Sequence, residues 1–248
     1  MCIATFFTIN VSAESQSWSM KRAAGDCPIF PDKSEFALKH SCYAFDRTAY
    51  KNGEKILYLT FDSGYENGNT EKILNTLKEK NVHATFFILK HMVEKESELV
   101  SRMIEEGHTV ANHTKNHKDL TGLTNEEIAS NLATLEAMTK DDFGYAMPKF
   151  FRYPEGKYDE RTVLCLEELG YKTFFWSLAY ADWDNNRQPS PAFAKETLLN
   201  YTHPGAIVLL HPTSATNAEI LGDMICKWQE MGYTFGTLED LVKQNEGS

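Results

Sequence analysis

The sequence predicts an α/β fold, a distorted (β/α) barrel of about seven strands in a single domain, and three observations support this. From residue 56 onward, short apolar runs alternate with stretches of helical periodicity. Such alternation is typical of parallel strands joined by crossover helices. A chain of 248 residues suits one such barrel, and no low-complexity segment or linker divides it. A doubly wound open sheet is the alternative arrangement of the same elements.

Two segments precede the predicted barrel, which we place at residues 55–245. Residues 1–13 contain a short apolar run that ends in Val11-Ser12-Ala13, a small-x-small pattern typical of a signal-peptide cleavage site. Because a basic start is missing, we interpret them as the remnant of a signal peptide, with a frayed apolar terminus as the alternative. Residues 14–54 show little periodicity, and we predict that they form an irregular leader packed on the domain.

Composition and charge exclude several kinds of partner. The net charge of −10 argues against binding to nucleic acid or to an anionic membrane surface. No stretch after the N-terminus approaches the ~20 apolar residues of a transmembrane helix. Cys27 and Cys42 both lie in the leader, and their pairing stays open because the distance between them decides it. We expect a monomer, although no sequence pattern fixes the oligomeric state.

The boundaries of the elements follow from apolar periodicity and capping signals. Gly107 ends one helix, whereas Thr124 with Glu127 forms a capping box that begins another. The predicted strands are 56–61, 84–89, 109–112, 149–153, 172–178, 206–210 and 233–236. The predicted helices are 70–80, 97–106, 124–139, 159–169, 191–201, 217–231 and a last one from 238.

Polar side chains with reactive chemistry lie where the predicted strands end. Asp62 follows the first strand and opens a turn that contains Gly64 and Gly68. The other such residues are His113, His117, Arg152, Asp182 and His211. Because the carboxyl ends of parallel strands meet at one edge of a barrel, we expect these groups to converge on an active site. The alternative for Asp62 is a cap of the helix that follows.

His113 and His117 are four residues apart, with the sequence HTKNH. On one helical turn, this spacing would let both imidazoles reach a single metal ion. A surface pair without a ligand is the alternative, since an HxxxH pattern alone is weak. Its position at a strand end favours the metal site.

Five motifs in order and spacing give the chain a resemblance to a known family. They are TFDSG at 60–64, NHTKNH at 112–117, RYPEG at 152–156, ADW at 181–183 and LLH at 209–211. Over residues 55–241 the sequence resembles the polysaccharide deacetylases, carbohydrate esterase family four, which share the NodB-homology domain. Within that family, GYENG, the DW pair and THPGAIVLLH are most similar to the delta-lactam-biosynthetic N-acetylmuramic acid de-N-acetylases.

The resemblance implies a role for each group that carries charge. Asp62 would be the general base, and Arg152 would keep it ionised and aimed. His113 and His117 would bind a divalent metal, expected to be Zn²⁺. His211 would be the general acid that protonates the departing amine. Asp182 would orient His211 and raise its pKa.

The resemblance also implies contacts with substrate. The backbone of Tyr153, beside Pro154, would donate to the developing oxyanion. Trp183 and Leu209 would form the apolar floor under the acetyl methyl group. Tyr65 and Asn67 could contact sugar hydroxyls or simply shape their loop, and both interpretations stay open.

Two residues depart from the family pattern. Ser63 stands where most members have a second aspartate that completes an Asp-His-His metal site. A neutral hydroxyl is a poorer ligand than a carboxylate, so we expect the metal to bind weakly. The muramic acid branch also lacks this aspartate, so the change fits that branch. Ala179 replaces the first aspartate of the DxxDW motif, which leaves no role for a carboxylate there.

The function that the resemblance implies is hydrolytic de-N-acetylation of N-acetylmuramic acid in peptidoglycan, on peptide-free strands, as a step toward muramic delta-lactam in spore cortex. The enzyme would be exported to the cell wall or to the space between forespore and mother cell. One alternative is a deacetylase of N-acetylglucosamine in peptidoglycan or chitin-like glycans. Another is a glycan-binding domain without catalysis, but such a domain has no need of an acid, a base and the residues that orient them.

Overall fold

Parallel strands form the main sheet in this computed structural model, which describes residues 14–246. The predicted signal remnant at 1–13 lies outside the described residues. The strands are β1 (Gln16–Ser17), β2 (Lys21–Ala23), β3 (Asp26–Ile29), β4 (Cys42–Tyr43), β5 (Ile56–Ser63), β6 (Thr85–Ile88), β7 (Thr109–Asn112), β8 (Phe150–Phe151), β9 (Lys157–Tyr158), β10 (Lys172–Phe174), β11 (Leu178–Ala179), β12 (Ala206–Leu210) and β13 (Thr234–Phe235).

Helices pack around this sheet. They are α1 (Glu35–Lys39), α2 (Arg47–Asn52), α3 (Thr70–Lys80), α4 (Lys90–Lys95), α5 (Ser97–Glu105), α6 (Asn125–Phe143), α7 (Glu160–Glu168), α8 (Pro191–Asn200), α9 (Ala215–Glu230) and α10 (Leu238–Glu246). Helix α10 packs with side chains of the interior face of the sheet. The capping box of Thr124 and Glu127 is present at the start of α6. Helix α4 was not predicted, because its six residues are too few to show a period.

The main sheet has the order β11-β12-β5-β6-β7-β8-β10-β4, and β13 pairs with the start of β5. The pairs within it are parallel. This is the distorted (β/α) barrel that the sequence predicts. A short connection joins a strand near one end of the sheet to the strand at the other end, so the sheet curls and brings its two edges toward each other. Only residues 175–177 separate β10, near one end, from β11 at the other.

The predicted strand at 172–178 is therefore wrong as one element. Its first half is β10, which pairs with β8, and its second half is β11, which pairs with β12. The apolar run is continuous in sequence because both halves are buried. Periodicity cannot reveal that the chain leaves one edge of the sheet and joins the other between them.

Residues 14–54 have more regular structure than the sequence predicts. Strand β1 pairs with β9, and β2 and β3 form a separate antiparallel hairpin. Strand β4 lies at the edge of the main sheet, beside β10. These strands are two to four residues long, too short for an alternating pattern to stand out.

Two large clusters of buried side chains hold the domain together. One packs α3, α5, α8 and α9 against β5, β6 and β12. The other packs the leader, α6 and α7 together, with Trp18 and Phe175 among its members. None of the helices between residues 14 and 246 is long and apolar enough to cross a membrane. The cysteines in that range are free, so Cys27 and Cys42 do not form a disulfide in this structure.

Candidate active site

Asp62 lies near the end of β5, on the face of the strand that points into the barrel. Leu59 and Phe61 pack in the cluster under the outer helices, whereas Tyr58 packs among interior side chains. Since strand side chains alternate, Asp62 shares the interior face with Tyr58. The predicted strand end thus continues for two residues, and the carboxylate belongs to the strand itself. A strand fixes its side chains more firmly than a loop does.

Arg152 holds the carboxylate of Asp62. Its Nη1 donates to Asp62 Oδ1 at 2.9 Å, and its Nε and Nη2 donate to the carbonyl oxygens of Phe174 and Phe175. The guanidinium is fully buried and lies over the ring of Phe87, 4.3 Å from the centroid. Burial opposes the charge on Asp62, but the attraction of nearby positive charges, first that of Arg152, holds the pKa of this carboxyl below its ordinary value.

His113 is the buried imidazole of the site. Its Nδ1 lies 2.9 Å from the carbonyl oxygen of Arg152. Because that oxygen can only accept, Nδ1 carries the proton and Nε2 keeps its lone pair. Nε2 lies 3.6 Å from Asp62 Oδ2. Burial lowers the pKa of His113 to about 4, so the ring is neutral at pH 7, as a metal ligand must be.

His117 reaches His113 through a loop, so the predicted helical turn is wrong. The two ring centroids are 5.0 Å apart, and residues 113–117 are outside the helices. Thr114 and His117 have positive φ angles of 74° and 56°, which a β-branched residue such as Thr114 rarely adopts. The two imidazoles, four residues apart, are therefore brought together by left-handed backbone and not by a helical turn. No periodicity in the sequence predicts such a backbone.

Two asparagines hold this loop in its strained shape. Asn112 Oδ1 accepts from the backbone N–H of Thr114 at 2.9 Å, and Asn131 Oδ1, from α6, accepts from that of Lys115 at 2.8 Å. Both asparagines are buried. Strain of this kind persists only where the surroundings fix it, and it clusters at functional sites.

Two neutral imidazoles can hold a divalent cation, but the third ligand of a strong site is missing. Ser63 is fully buried, and its Oγ has no hydrogen-bond partner among the described residues. Glu66 Oε1 accepts from the backbone N–H groups of Gly68 and Asn69, while its Oε2 is buried without a hydrogen-bond partner among the described residues. Within residues 14–246, no three His, Cys, Asp or Glu side chains are arranged to hold a metal ion. The residues present fit a weak two-imidazole site.

His211 and Asp182 form a second charged pair at the same edge. His211 Nδ1 lies 2.7 Å from Asp182 Oδ1, and the backbone N–H of His211 donates to Asp182 Oδ2 at 2.8 Å. Asp182 is fully buried, whereas a quarter of the His211 side chain is exposed. Burial lowers the pKa of His211, but Asp182 outweighs it and raises that pKa above its ordinary value. The charge of His211 also lowers the pKa of Asp62, so the two pairs face one site.

The five residues predicted to contact substrate differ in their surroundings. Tyr153 is fully buried, and its hydroxyl donates to Thr162. Leu209 is buried, whereas Trp183 is 64% exposed. The apolar floor of Trp183 and Leu209 stays a prediction. Tyr65 is 63% exposed, and Asn67 donates to the carbonyl of Thr213, which favours the loop-shaping interpretation for Asn67.

Gln188 and Asn217 belong to this site but were not predicted. Gln188 Nε2 donates to the carbonyl oxygens of Asp182 and Asp184, on either side of Trp183. Asn217 Nδ2 donates to Asp182 Oδ2 at 2.6 Å. Asn217 sits in the first turn of α9, where Ser214 caps the helix. In the sequence, Asn217 is only a polar residue in the first turn of a helix. Polar residues are common there because they cap the helix, so the sequence does not single out Asn217 as part of a site.

Comparison with known proteins agrees with this geometry. Residues 49–174 match the family described as Polysaccharide deacetylase. The chain is 38% identical over 236 residues to the peptidoglycan-N-acetylmuramic acid deacetylase PdaA of Bacillus subtilis, across 95% of this chain and 89% of that protein. It is 33% identical over 187 residues to the peptidoglycan-N-acetylglucosamine deacetylase PgdA of Listeria monocytogenes, across 75% of this chain and 39% of that protein.

A solved structure matches over a similar extent. The structure of Bacillus subtilis PdaA, described as a family 4 carbohydrate esterase, superposes with a TM-score of 0.89 and 35% identity, across 95% of this chain and 100% of that one. Asp182 and His211 lie beyond residue 174, where the family match ends, but this superposition extends across nearly the whole chain. The chain belongs to the polysaccharide deacetylase family, carbohydrate esterase family 4.

Proposed function

We propose that this protein hydrolyses the acetamide of N-acetylmuramic acid in peptidoglycan, releasing acetate and leaving a free amine on the sugar. The observation that carries the proposal is the meeting of two opposed pairs at one edge of the barrel. Arg152 favours the ionised form of Asp62, and Asp182 favours the protonated form of His211. A base and an acid kept in different protonation states are what amide hydrolysis needs.

Asp62 acts as the general base in this proposal. Its carboxylate accepts a proton from water as the water oxygen attacks the acetyl carbon. Arg152 lowers the basicity of Asp62, but it also fixes the carboxylate at 2.9 Å, so that the free oxygen, Oδ2, faces the site beside His113. Fixing the carboxylate in this orientation also lowers the activation barrier, because the entropy lost in aligning the base with the water is lost before the reaction.

His211 acts as the general acid. Its Nδ1 is bound to Asp182, so Nε2 carries the proton that goes to the departing nitrogen as the carbon–nitrogen bond breaks. The backbone N–H of Tyr153 is the proposed donor to the developing oxyanion. The neighbouring amides of Gly156 and Lys157 are already bonded to the carbonyl oxygens of Tyr153 and Pro154.

His113 and His117 are the proposed metal ligands. Deacetylases of this family are generally metal-dependent. A divalent cation such as Zn²⁺, when bound, supplies Lewis acidity to the acetyl carbonyl and to water. The chain's own contribution is two neutral imidazoles, one fixed by the carbonyl of Arg152 and one by the loop of Thr114.

The choice of N-acetylmuramic acid rests on the extent of the resemblance to PdaA, which spans the leader as well as the barrel. The proposed substrate is a glycan strand stripped of its peptide. The proposed reaction is a step in the formation of muramic delta-lactam in spore cortex. This requires export to the cell wall or to the space between forespore and mother cell. N-acetylglucosamine in peptidoglycan or chitin-like glycans is the competing substrate.

The test is acetate release, measured with mass spectrometry of the glycan. The purified protein is incubated with denuded peptidoglycan strands, peptide-bearing strands and chitooligosaccharides, each with and without a chelator. We expect loss of one acetyl mass from N-acetylmuramic acid in the denuded strands, and restoration of activity when Zn²⁺ follows the chelator. Acetate release from chitooligosaccharides alone would show that the substrate is a chitin-like glycan and not N-acetylmuramic acid. No acetate release from any of the three substrates would reject the enzymatic function.

A further inference from the structure

Asp182 has two oxygens with different partners. Oδ1 lies against His211 Nδ1, while Oδ2 accepts both the backbone N–H of His211 at 2.8 Å and the Nδ2 of Asn217 at 2.6 Å. The contacts from His211 alone already fix the carboxylate in two places. Asn217 adds a third contact to this carboxylate, and it comes from a neutral group.

The side-chain amide of Asn217 can have only one orientation. Its nitrogen faces two groups that only accept, Asp182 Oδ2 and the carbonyl oxygen of His211 at 3.1 Å. Its oxygen accepts from the hydroxyl of Tyr180. Asn217 and Tyr180 are both buried, at 1% and 5% exposed. Burial, with Asp182 nearby, raises the pKa of Tyr180, so this hydroxyl keeps the proton that it donates.

The hydrogen bond from Asn217 matters differently in the two states of His211. When His211 is protonated, its positive charge balances the buried anion of Asp182. When His211 has given up its proton, Asp182 stays behind as an uncompensated charge, and the remaining donors must stabilise it. Asn217 thus favours the state in which His211 has lost its proton.

We propose that Asn217, oriented by Tyr180, shares the negative charge of Asp182 and so makes His211 a stronger acid toward the departing amine. This deepens the proposed function, since it rests on His211 being the general acid. Asn217 and Tyr180 are positioning residues, because they act through Asp182.

Other charged groups also face His211. Asp62 on β5 favours the protonated ring, Arg152 after β8 opposes it, and His211 in turn acts on His117. These groups are the same in every variant that tests the proposal. Differences between variants therefore report only the network of Asp182, Asn217 and Tyr180.

The test compares Asn217→Leu and Tyr180→Phe with the wild type. The titration midpoint of His211 is measured by NMR of the histidine ring, and kcat and KM are measured across pH. For Asn217→Leu we expect the midpoint and the alkaline limb of kcat to move up by about one pH unit, and kcat at pH 7 to fall by ~10-fold, the size expected for one hydrogen bond to a charged group. KM should change little, because Asn217 does not face the substrate.

Tyr180→Phe keeps the core aromatic and should move the midpoint in the same direction by a smaller amount, so it carries the test if Asn217→Leu does not fold. Thr216→Val is the matched control, because Thr216 is buried in the same turn and donates to the carbonyl of Pro189 without touching Asp182. It should lower the melting temperature and leave the His211 midpoint unchanged.

An unchanged or lower His211 midpoint in folded variants would overturn the proposal. That result is distinct from failure of the proposed function, because the NMR midpoint needs no substrate. A raised midpoint in a protein that releases no acetate would support the charge sharing and reject the acetyl hydrolysis.

Discussion

Three side chains of the candidate site each depend on a partner far away in the chain. Asp62 depends on Arg152, 90 residues later, and His211 depends on Asp182, 29 residues earlier. His113 depends on the carbonyl of Arg152 for its tautomer. Changes at these positions should therefore alter the protonation of Asp62 and His211 and the affinity for a metal ion.

Replacing Asp62 with Asn should remove activity and keep the fold. The amide still accepts a hydrogen bond from Arg152 but cannot take the proton of water. We expect acetate release to fall by ~10²–10⁴-fold, the usual contribution of a positioned base. Circular dichroism serves as the control for folding. Activity within about tenfold of the wild type, with an unchanged spectrum, would show that another group is the base.

Replacing Asp182 with Asn should shift the pH profile toward acid. Asp182 raises the pKa of His211, so the acid form persists to higher pH in the wild type. Without that charge the pKa falls, and the alkaline limb of kcat should move to lower pH, opposite to the shift expected for Asn217→Leu. The same pair stabilises the fold below about pH 6.5, and this stability is lost as the pH rises through the raised pKa of His211. A limb that stays in place would remove Asp182 from its proposed role.

Replacing Ser63 with Asp should tighten the binding of Zn²⁺, because a carboxylate would join two imidazoles. Activity need not rise, since an added negative ligand weakens the cation as a Lewis acid. Calorimetric titration of wild type and variant measures the effect directly. Ser63 is the last residue of β5, so the new carboxylate reaches the imidazoles only if the side chain turns toward the interior face at the strand end. Unchanged affinity would mean that the side chain at position 63 faces away from Asp62.

At the scale of elements, short segments from the leader support the loop that carries the site. Strand β1 pairs with β9, directly after the loop of Pro154. Trp18 donates from its backbone to the carbonyl of Gly156 and from its indole to that of Trp176, and it stacks on Phe175 at 4.1 Å. A side chain added at Gly156 would collide with Trp176 and Trp18, both 2.9 Å away. The leader is thus part of the domain.

Replacing Trp18 with Ala should destabilise the protein by about 3–5 kcal/mol, the usual cost of deleting a buried tryptophan. The free energy of unfolding is measured by urea denaturation. Ile29→Ala is the control in the same leader, because Ile29 is 63% exposed, and it should change stability by no more than about 0.5 kcal/mol. A cost for Trp18→Ala as small as that expected for Ile29→Ala would mean that the leader does not support the domain.

At the scale of the whole molecule, the curled sheet closes through contacts that join the leader to the barrel. Phe45 bridges to Ala206, at the start of β12. The backbone N–H of Asp46 donates to the carbonyl of Gly205, and the buried carboxylate of Asp46 accepts from the hydroxyl of Tyr58 at 2.6 Å. Gly205 has φ of 75°, and a Cβ there would lie 2.4 Å from the carbonyl oxygen of Asp46.

Replacing Gly205 with Ala should cost more than about 4 kcal/mol, because backbone must move as well as adopt a left-handed φ. Gly53→Ala isolates the second effect, since Gly53 has φ of 69° and nothing within 4 Å of its Cβ position. It should cost only ~1–2 kcal/mol. The two free energies of unfolding are compared by denaturation. A similar cost at both sites would show that the backbone of Asp46 moves aside at little cost in free energy.

The sequence by itself determined the alternation of strands and helices, the motifs and the residues of both charged pairs. These depend on local periods and caps, such as the box of Thr124 and Glu127, and on residue types that only a few chemistries use. Tertiary structure decided the rest, because it depends on contacts between distant segments. The split of 172–178 between two edges, the left-handed loop of His113 and His117, the exposure of Trp183 and the orientation of Asn217 by Tyr180 leave no period in the sequence. Each is fixed by what the folded chain places beside it.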